Sequence, residues 1–135
     1  MQNILYISQA LLPLIERAAD VNKDKPQGIK RAAIFNMSSL GGSVSLNSRM
    51  GGSCYCYRES KAALNQFSRT LALVVEDKEI VLVVLHPGHV QTDMGGPTAR
   101  ITVDESVSGL VKVIYSADKN MHNKFVMWNG GELTW

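Results

Sequence analysis

The chain has 135 residues, of which 45% are hydrophobic and 19% charged, with a formal net charge of +2. That length suits one domain with a sizeable core, and the small net charge argues against a nucleic-acid or membrane-surface binder. No apolar run approaches the roughly 20 residues needed to cross a bilayer, no basic flank precedes an apolar stretch as in a secretory signal, and Cys54 and Cys56 are too few for a disulfide framework or a zinc site, so a reducing, cytoplasmic setting is expected.

In chain order, Ile4, Leu11, Leu12, Leu14, Ile15 and Ala18 recur at helical spacing and predict a helix over 2–19, with a kink or fresh start at Pro13. Residues 20–30 form a polar loop broken by Pro26 and Gly28, where Lys23, Lys25, Lys30 and Arg31 read as solvated charges. Residues 32–37 predict a short buried strand ending in the hydroxyl-bearing turn Ser38-Ser39-Leu40-Gly41-Gly42. The glycine- and serine-rich stretch 40–54 reads as a flexible loop. A helix over 55–76 is expected to bury Leu64, Phe67, Leu71, Val74 and Val75 and to turn Tyr57, Lys61 and Ser68 to its polar side.

Residues 80–85 are apolar throughout, as in a parallel strand covered on both faces, and lead into a Pro87-Gly88 turn. Thr102-Val103-Asp104-Glu105 has the form of a capping box. It opens a helix whose Val107, Leu110, Val111 and Ile114 are expected to face inward. Residues 125–128 make a last short strand. The alternating order predicts a single α/β domain over 1–135, with three parallel strands and flanking helices.

The chemistry concentrates at Tyr57 and Lys61. Four residues apart on a helix, they share a face. A phenol is a poor proton donor near neutrality, and a nearby cation favours its ionised form, which equips a tyrosine to exchange a proton with an alcohol or carbonyl oxygen. Ser38 and Ser39 both offer a hydroxyl in the turn before that helix. Tyr55 falls on another face and is expected to line the site or pack. His86 reads as a strand-end residue, His89 as a surface turn residue and His122 as a loop residue, and no three of them have metal-ligand spacing.

Strand, serine turn, Tyr-x-x-x-Lys helix, strand and Pro-Gly turn, in this order, resemble the short-chain dehydrogenase/reductase family. The wording Asn36-Met37-Ser38-Ser39, Gly51-Gly52, Tyr55, Tyr57-Arg58-Glu59-Ser60-Lys61-Ala62-Ala63-Leu64-Asn65 and Pro87-Gly88-His89-Val90-Gln91-Thr92-Asp93-Met94-Gly95-Gly96 is similar to its C-factor or sniffer-type carbonyl reductase branch. The resemblance implies an NADP(H)-dependent oxidoreductase, NAD(H) not excluded, that reduces a carbonyl or oxidises an alcohol. It implies Tyr57 as general acid/base, Lys61 as its partner and as a ribose ligand, and Ser39, in preference to Ser38, as the donor to the substrate oxygen. Pro87 and Gly88 would shape the cofactor turn, Val90 and Thr92 would meet the nicotinamide, and Met94 would lie on the substrate side. The Ser39-to-Tyr57 interval is longer than the family pattern, which implies an inserted loop.

The family's glycine-rich turn for the dinucleotide phosphates has no counterpart before the Tyr-x-x-x-Lys helix, because Gly41-Gly42 and Gly51-Gly52 follow the wrong strand. The expected fold is therefore a partial Rossmann-like sheet, the C-terminal catalytic half of the family's domain without its nucleotide-binding half. The family's catalytic asparagine maps only to Asn3, about one helical turn out of place. Three readings follow: an oxidoreductase acting on a small carbonyl or alcohol, a catalytically silent short form serving as an interaction module, or an incomplete gene model of the full enzyme. By resemblance, a homodimer would form through helices 2–19 and 55–76.

Overall fold

The computed structural model describes residues 2–47 and 54–135, with only the helical backbone at Gln2 and Asn3. Its elements are α1 (Gln2–Val21), β1 (Ala33–Met37), α2 (Tyr55–Val75), β2 (Val81–His86), α3 (Val103–Ser116), β3 (Lys124–Met127) and β4 (Glu132–Leu133). Short 3-10 turns follow β1 at Leu40–Gly42, α2 at Glu76–Lys78 and α3 at Lys119–Met121. The strands form one open sheet in the order β1-β2-β3-β4. β1, β2 and β3 are parallel, with Ala33 opposite Val81 and Val83 opposite Lys124.

β2 explains why the sheet is covered on both faces. Its side chains alternate, so Leu82 and Val84 point toward α1 and α2, where they meet Ala19, Leu71, Ala72, Val75 and Phe125. Val81, Val83 and Leu85 point the other way, into a cluster with Val113, Ala117 and Val126. Every residue of β2 is buried. At about 1.5–3 kcal/mol per buried aliphatic side chain, this strand is the axis of the core. Trp135 closes the α1 side, its ring stacked on Phe125 at 5.4 Å between centroids and covered by the Arg69 guanidinium at 4.9 Å.

The structure adds a fourth strand to the three expected. β4 pairs antiparallel to β3, Phe125 opposite Leu133, across a tight turn in which Gly130 has φ +88° and Met127 O accepts from the Gly130 N–H at 2.9 Å. Gly130 supplies the left-handed residue that closes this three-residue loop, 128–130. The sheet is therefore mixed rather than purely parallel.

Several other expectations change in detail. α1 runs unbroken through Pro13. Pro13 is exposed, so the carbonyl it leaves unbonded one turn earlier faces water. Val74 is 63% exposed instead of buried, whereas Ser68 on the expected polar side is wholly buried. Ser68 accepts from Asn36 Nδ2 at 2.9 Å and donates to Leu64 O at 2.8 Å, which ties β1 to α2. On α3 the buried positions are Ser106 and Val113, while Val107 and Val111 are exposed. Apolar residues lie on both flanks of that helix, so spacing alone leaves open which flank meets the sheet. The capping box at Thr102 and Glu105 forms as expected.

The described part of the 40–54 stretch is anchored, not loose. Ser43 Oγ donates to Thr134 O at 2.8 Å, the Ser45 N–H donates to Trp135 O at 2.9 Å, and the Ser45 and Thr134 hydroxyls lie 2.6 Å apart. Gly51-Gly52 lies outside the described residues. In the polar loop, Arg31 pairs with Glu79 at 2.5 Å and Lys25 with Asp24 at 2.9 Å.

Candidate active site

The serine turn is held against α2 at three points. Lys61 Nζ donates to Met37 O at 3.0 Å. Ser38 Oγ donates to Asn65 Oδ1 at 2.6 Å, both residues being buried. Gly42 packs on the Lys61 backbone so closely that a Cβ there would lie 2.7 Å from the Lys61 carbonyl carbon. The local sequence explains the fit, because only glycine lets two backbones approach this far. The 3-10 turn then begins with Ser39 as its N-cap, Oγ accepting from the Gly41 N–H at 3.1 Å.

This arrangement separates the two serines. Ser38 is 2% exposed, and its hydroxyl is spent on Asn65 while its N–H bonds Leu85 O at 2.7 Å. Ser39 is half-buried with its hydroxyl toward the turn. A Cβ on Gly41 would lie 3.5 Å from Ser39 Oγ and 3.6 Å from Tyr57 Cε1, so the serine hydroxyl and the phenol ring border the same spot. Tyr57 is 41% exposed, and Lys61 Nζ stands 5.9 Å from its ring centroid. A hydroxyl, a phenol and an ammonium thus converge at the end of β1, on a surface open to solvent. The guanidinium of Arg58, beside Tyr57, bonds Asn47 Oδ1.

Tyr55 is 72% exposed. Asn3 lies on the first turn of α1, and its side chain is outside the described residues. Asn65, which sequence reasoning passed over, proves central to the turn. Its Nδ2 is buried with no partner, and its signal in the sequence was a polar residue one helical turn beyond Lys61 on the inward face.

The other segment expected at the site follows β2. Gly88 has φ +90°, and a Cβ there would meet Ile101 Cδ1 at 2.5 Å and the Trp128 ring at 2.9 Å, so the turn requires glycine. Pro87 O accepts from the buried Ser106 hydroxyl at 2.6 Å, which anchors the turn on α3. The loop beyond folds back on itself. Val90 bridges Ile101, the Gln91 N–H donates to Ile101 O at 2.9 Å, and Thr92 Oγ1 accepts from the Gly95 N–H at 3.1 Å. Met94 is 87% exposed at its tip.

The histidines play local parts. His86 ends β2 as expected. Burial pushes its imidazole down to about 4, so the ring is neutral at physiological pH. His89 is exposed and bonds Gly95 O at 2.8 Å. His122 does more than occupy a loop, since its Nδ1 accepts from the Leu82 N–H at 3.2 Å and so extends the sheet's bonding. Among the described residues no cluster of His, Cys, Asp or Glu could hold a metal ion, Cys54 and Cys56 are free and exposed, and no helix is long and apolar enough to cross a membrane.

The family model for short chain dehydrogenases matches residues 7–102. The chain is 35% identical over 131 residues to the C-signal protein of Myxococcus xanthus, a match that covers 97% of this chain and 71% of that protein. Among solved structures, the carbonyl reductase Sniffer of D. melanogaster superposes with a TM-score of 0.88 at 40% identity, over 95% of this chain and 51% of its own. The NADPH-bound carbonyl reductase from chicken fatty liver does so with a TM-score of 0.86 at 38% identity, over 97% of this chain and 52% of its own. The chain thus spans about half the length of these solved relatives.

Proposed function

The chain belongs to the short-chain dehydrogenase family, and we propose that residues 1–135 form a single domain carrying the acid–base half of an NADP(H)-dependent carbonyl reductase or alcohol dehydrogenase site. The observation that carries this reading is the convergence of Ser39, Tyr57 and Lys61 on one exposed surface, with Lys61 Nζ 3.0 Å from Met37 O and 5.9 Å from the Tyr57 ring. Tyr57 would deliver its proton to the carbonyl oxygen during reduction, or remove it from the alcohol during oxidation. The Lys61 ammonium would stabilise the charge that develops on the phenol oxygen. Ser39, free of the buried bond that occupies Ser38, would donate to the substrate oxygen and stabilise the nascent alkoxide. Substrate would enter from the open side, past Met94.

The residues present suit one end of a dinucleotide. Lys61 and Tyr57 offer donors for the ribose, and the Pro87-Gly88 turn, with Val90 and Thr92, offers backbone for the nicotinamide. The glycine that this turn requires at Gly88 lets the chain bend there without a side chain. The N-terminus of α3 is taken by the Glu105 carboxylate, 2.7 Å from the Thr102 N–H, so that helix end offers no cradle for the pyrophosphate. When bound, NADPH would supply the hydride. The relatives' bound NADPH and NADP support this cofactor. A cytoplasmic setting accords with two exposed, unpaired cysteines.

The test is consumption of NADPH with a panel of aldehydes and ketones, followed by absorbance, alongside cofactor titration by fluorescence. Tyr57→Phe is expected to lower kcat by about 10²-fold or more while leaving cofactor affinity nearly unchanged. Absence of NADPH binding at millimolar concentration would refute the reading for this chain, and undiminished turnover in the variant would refute the role of Tyr57. A homodimer through α1 and α2 is a companion proposal. It is supported by a shallow groove of about 190 Å³ between them, lined by Leu5, Leu12, Phe67, Leu71 and Val74, and by Leu73 exposed at 64%. Sedimentation equilibrium would detect it.

A further inference from the structure

We infer that Ser43 and the segment Thr134-Trp135 form a strap that keeps the serine turn against α2, which makes Ser43 a positioning residue for the candidate site. A hydroxyl that meets a reacting group has to be held to within about 0.5 Å, and the long connection between Ser39 and Tyr57 needs something to hold it. Ser43 supplies the hold. Its side chain is almost wholly buried, although serine is a residue type found mostly at the surface. Its Oγ donates to Thr134 O at 2.8 Å and accepts from the Leu46 N–H at 3.0 Å. Beside it, the Ser45 N–H donates to Trp135 O at 2.9 Å, and the Ser45 and Thr134 hydroxyls lie 2.6 Å apart.

The far end of the strap is fastened to the core. The Trp135 ring stacks on the fully buried Phe125 of β3, and the Arg69 guanidinium of α2 covers it. Movement at the near end passes straight to the serine turn. The Ser43 N–H donates to Leu40 O at 3.0 Å and the Gly42 N–H to Ser39 O at 2.8 Å, so the residue that the strap grips shares backbone bonds with the turn that Ser39 caps. Gly42, between them, rests on the Lys61 backbone. That contact sets how near the turn comes to α2, and the strap keeps it from moving away. Farther along, Asn47 Oδ1 accepts from the guanidinium of Arg58, the neighbour of Tyr57.

Ser39 is thereby fixed from both sides. The Lys61–Met37 and Ser38–Asn65 bonds secure the chain before it, and Ser43 secures the chain after it. Release of the second side frees the backbone to swing, and a misplacement of about 1 Å at a reacting group costs on the order of 100-fold in rate. Ser43 acts through the turn and not on substrate. The consequence for chemistry rests on the oxidoreductase reading proposed above, whereas the mechanical role does not.

Backbone order parameters from nitrogen-15 relaxation test the strap without any cofactor, and a general loss of stability leaves them unmoved. In the wild-type chain the Gly42, Ser43 and Ser45 amides should lie near the rigid value of about 0.85, and in Ser43→Ala they should fall toward about 0.6. The Ser38 amide, bonded to Leu85 O in the sheet, should stay rigid in both. Trp135→Ala acts at the far end of the strap and should loosen the same three amides, while Trp135→Phe, which keeps a ring on Phe125, should restore them. Where the wild type consumes NADPH, Ser43→Ala should lower kcat by roughly tenfold or more with KM for NADPH unchanged. Low order at these amides in the wild type, or unchanged order in both Ser43→Ala and Trp135→Ala, would overturn the inference. Full turnover in a Ser43→Ala variant whose turn has loosened would overturn the positioning role. A wild-type chain that binds no NADPH would refute the oxidoreductase reading, and the order parameters would still decide the strap.

Discussion

Gly42→Ala tests the joint on which the candidate site is built. A Cβ at position 42 would lie 2.7 Å from the Lys61 carbonyl carbon and 2.8 Å from both its oxygen and its Cβ. Two of these atoms are backbone within α2, so no side-chain rotation relieves the clash. The serine turn must move away from the helix that carries Tyr57 and Lys61. Overpacking of this kind costs about 1–3 kcal/mol, and part of the displacement falls on the Lys61–Met37 bond. The neighbouring Gly41→Ala is an internal control, since its Cβ would meet atoms at 3.5–3.6 Å, an ordinary contact. Neither glycine has a positive φ, so backbone strain is equal in the two variants. Urea unfolding should show Gly42→Ala destabilised by about 2 kcal/mol, a fall in Tm of about 4–8 °C for a domain of this size. Gly41→Ala should unfold within about 0.5 kcal/mol of wild type. Equal stability of the two variants would refute the account of how turn and helix are joined.

Ser38→Ala should destabilise by about 1–3 kcal/mol, because it strands the buried Asn65 amide, whereas Ser39→Ala, which removes only the part-buried cap to the Gly41 N–H, should cost about 0.5–1 kcal/mol and lose turnover as well. The reverse pattern in paired denaturation and activity assays would reassign the two hydroxyls. Burial holds His86 neutral down to about pH 4, while the unfolded chain takes up its proton near 6.5. The resulting stability is complete above about pH 6.5 and is lost as pH falls from there toward 4, because the unfolded state binds the extra proton. His86→Gln should flatten that part of the stability-against-pH curve, and a curve parallel to wild type would exclude His86 as its source. Thr102→Ala removes the side-chain acceptor of the Glu105 N–H at 3.2 Å and should cost about 1 kcal/mol. An unchanged unfolding midpoint would show that this cap contributes nothing to stability.

The features legible from the sequence are those set by local chemistry. Apolar runs at 32–37 and 80–85, separated by helical periodicities, specify a parallel sheet with helices on its faces, because each pattern has one period and one surface to hide. The Thr102–Glu105 box needs only neighbours within one turn. Tyr57 and Lys61 share a face because helix geometry puts residues four apart together. What required the tertiary structure is the choice between equivalent local options. Ser38 and Ser39 look alike in sequence, and only the approach of Asn65, 27 residues away along the chain, commits one to the interior. Val107 and Val113 both suit an inward face of α3, and the sheet selects Val113. Likewise, Gly42 reads as turn freedom until the Lys61 backbone is seen against it. The hold of Ser43 on Thr134 belongs to the same class, since the two stand 91 residues apart along the chain and only the assembled sheet brings them within a hydrogen bond.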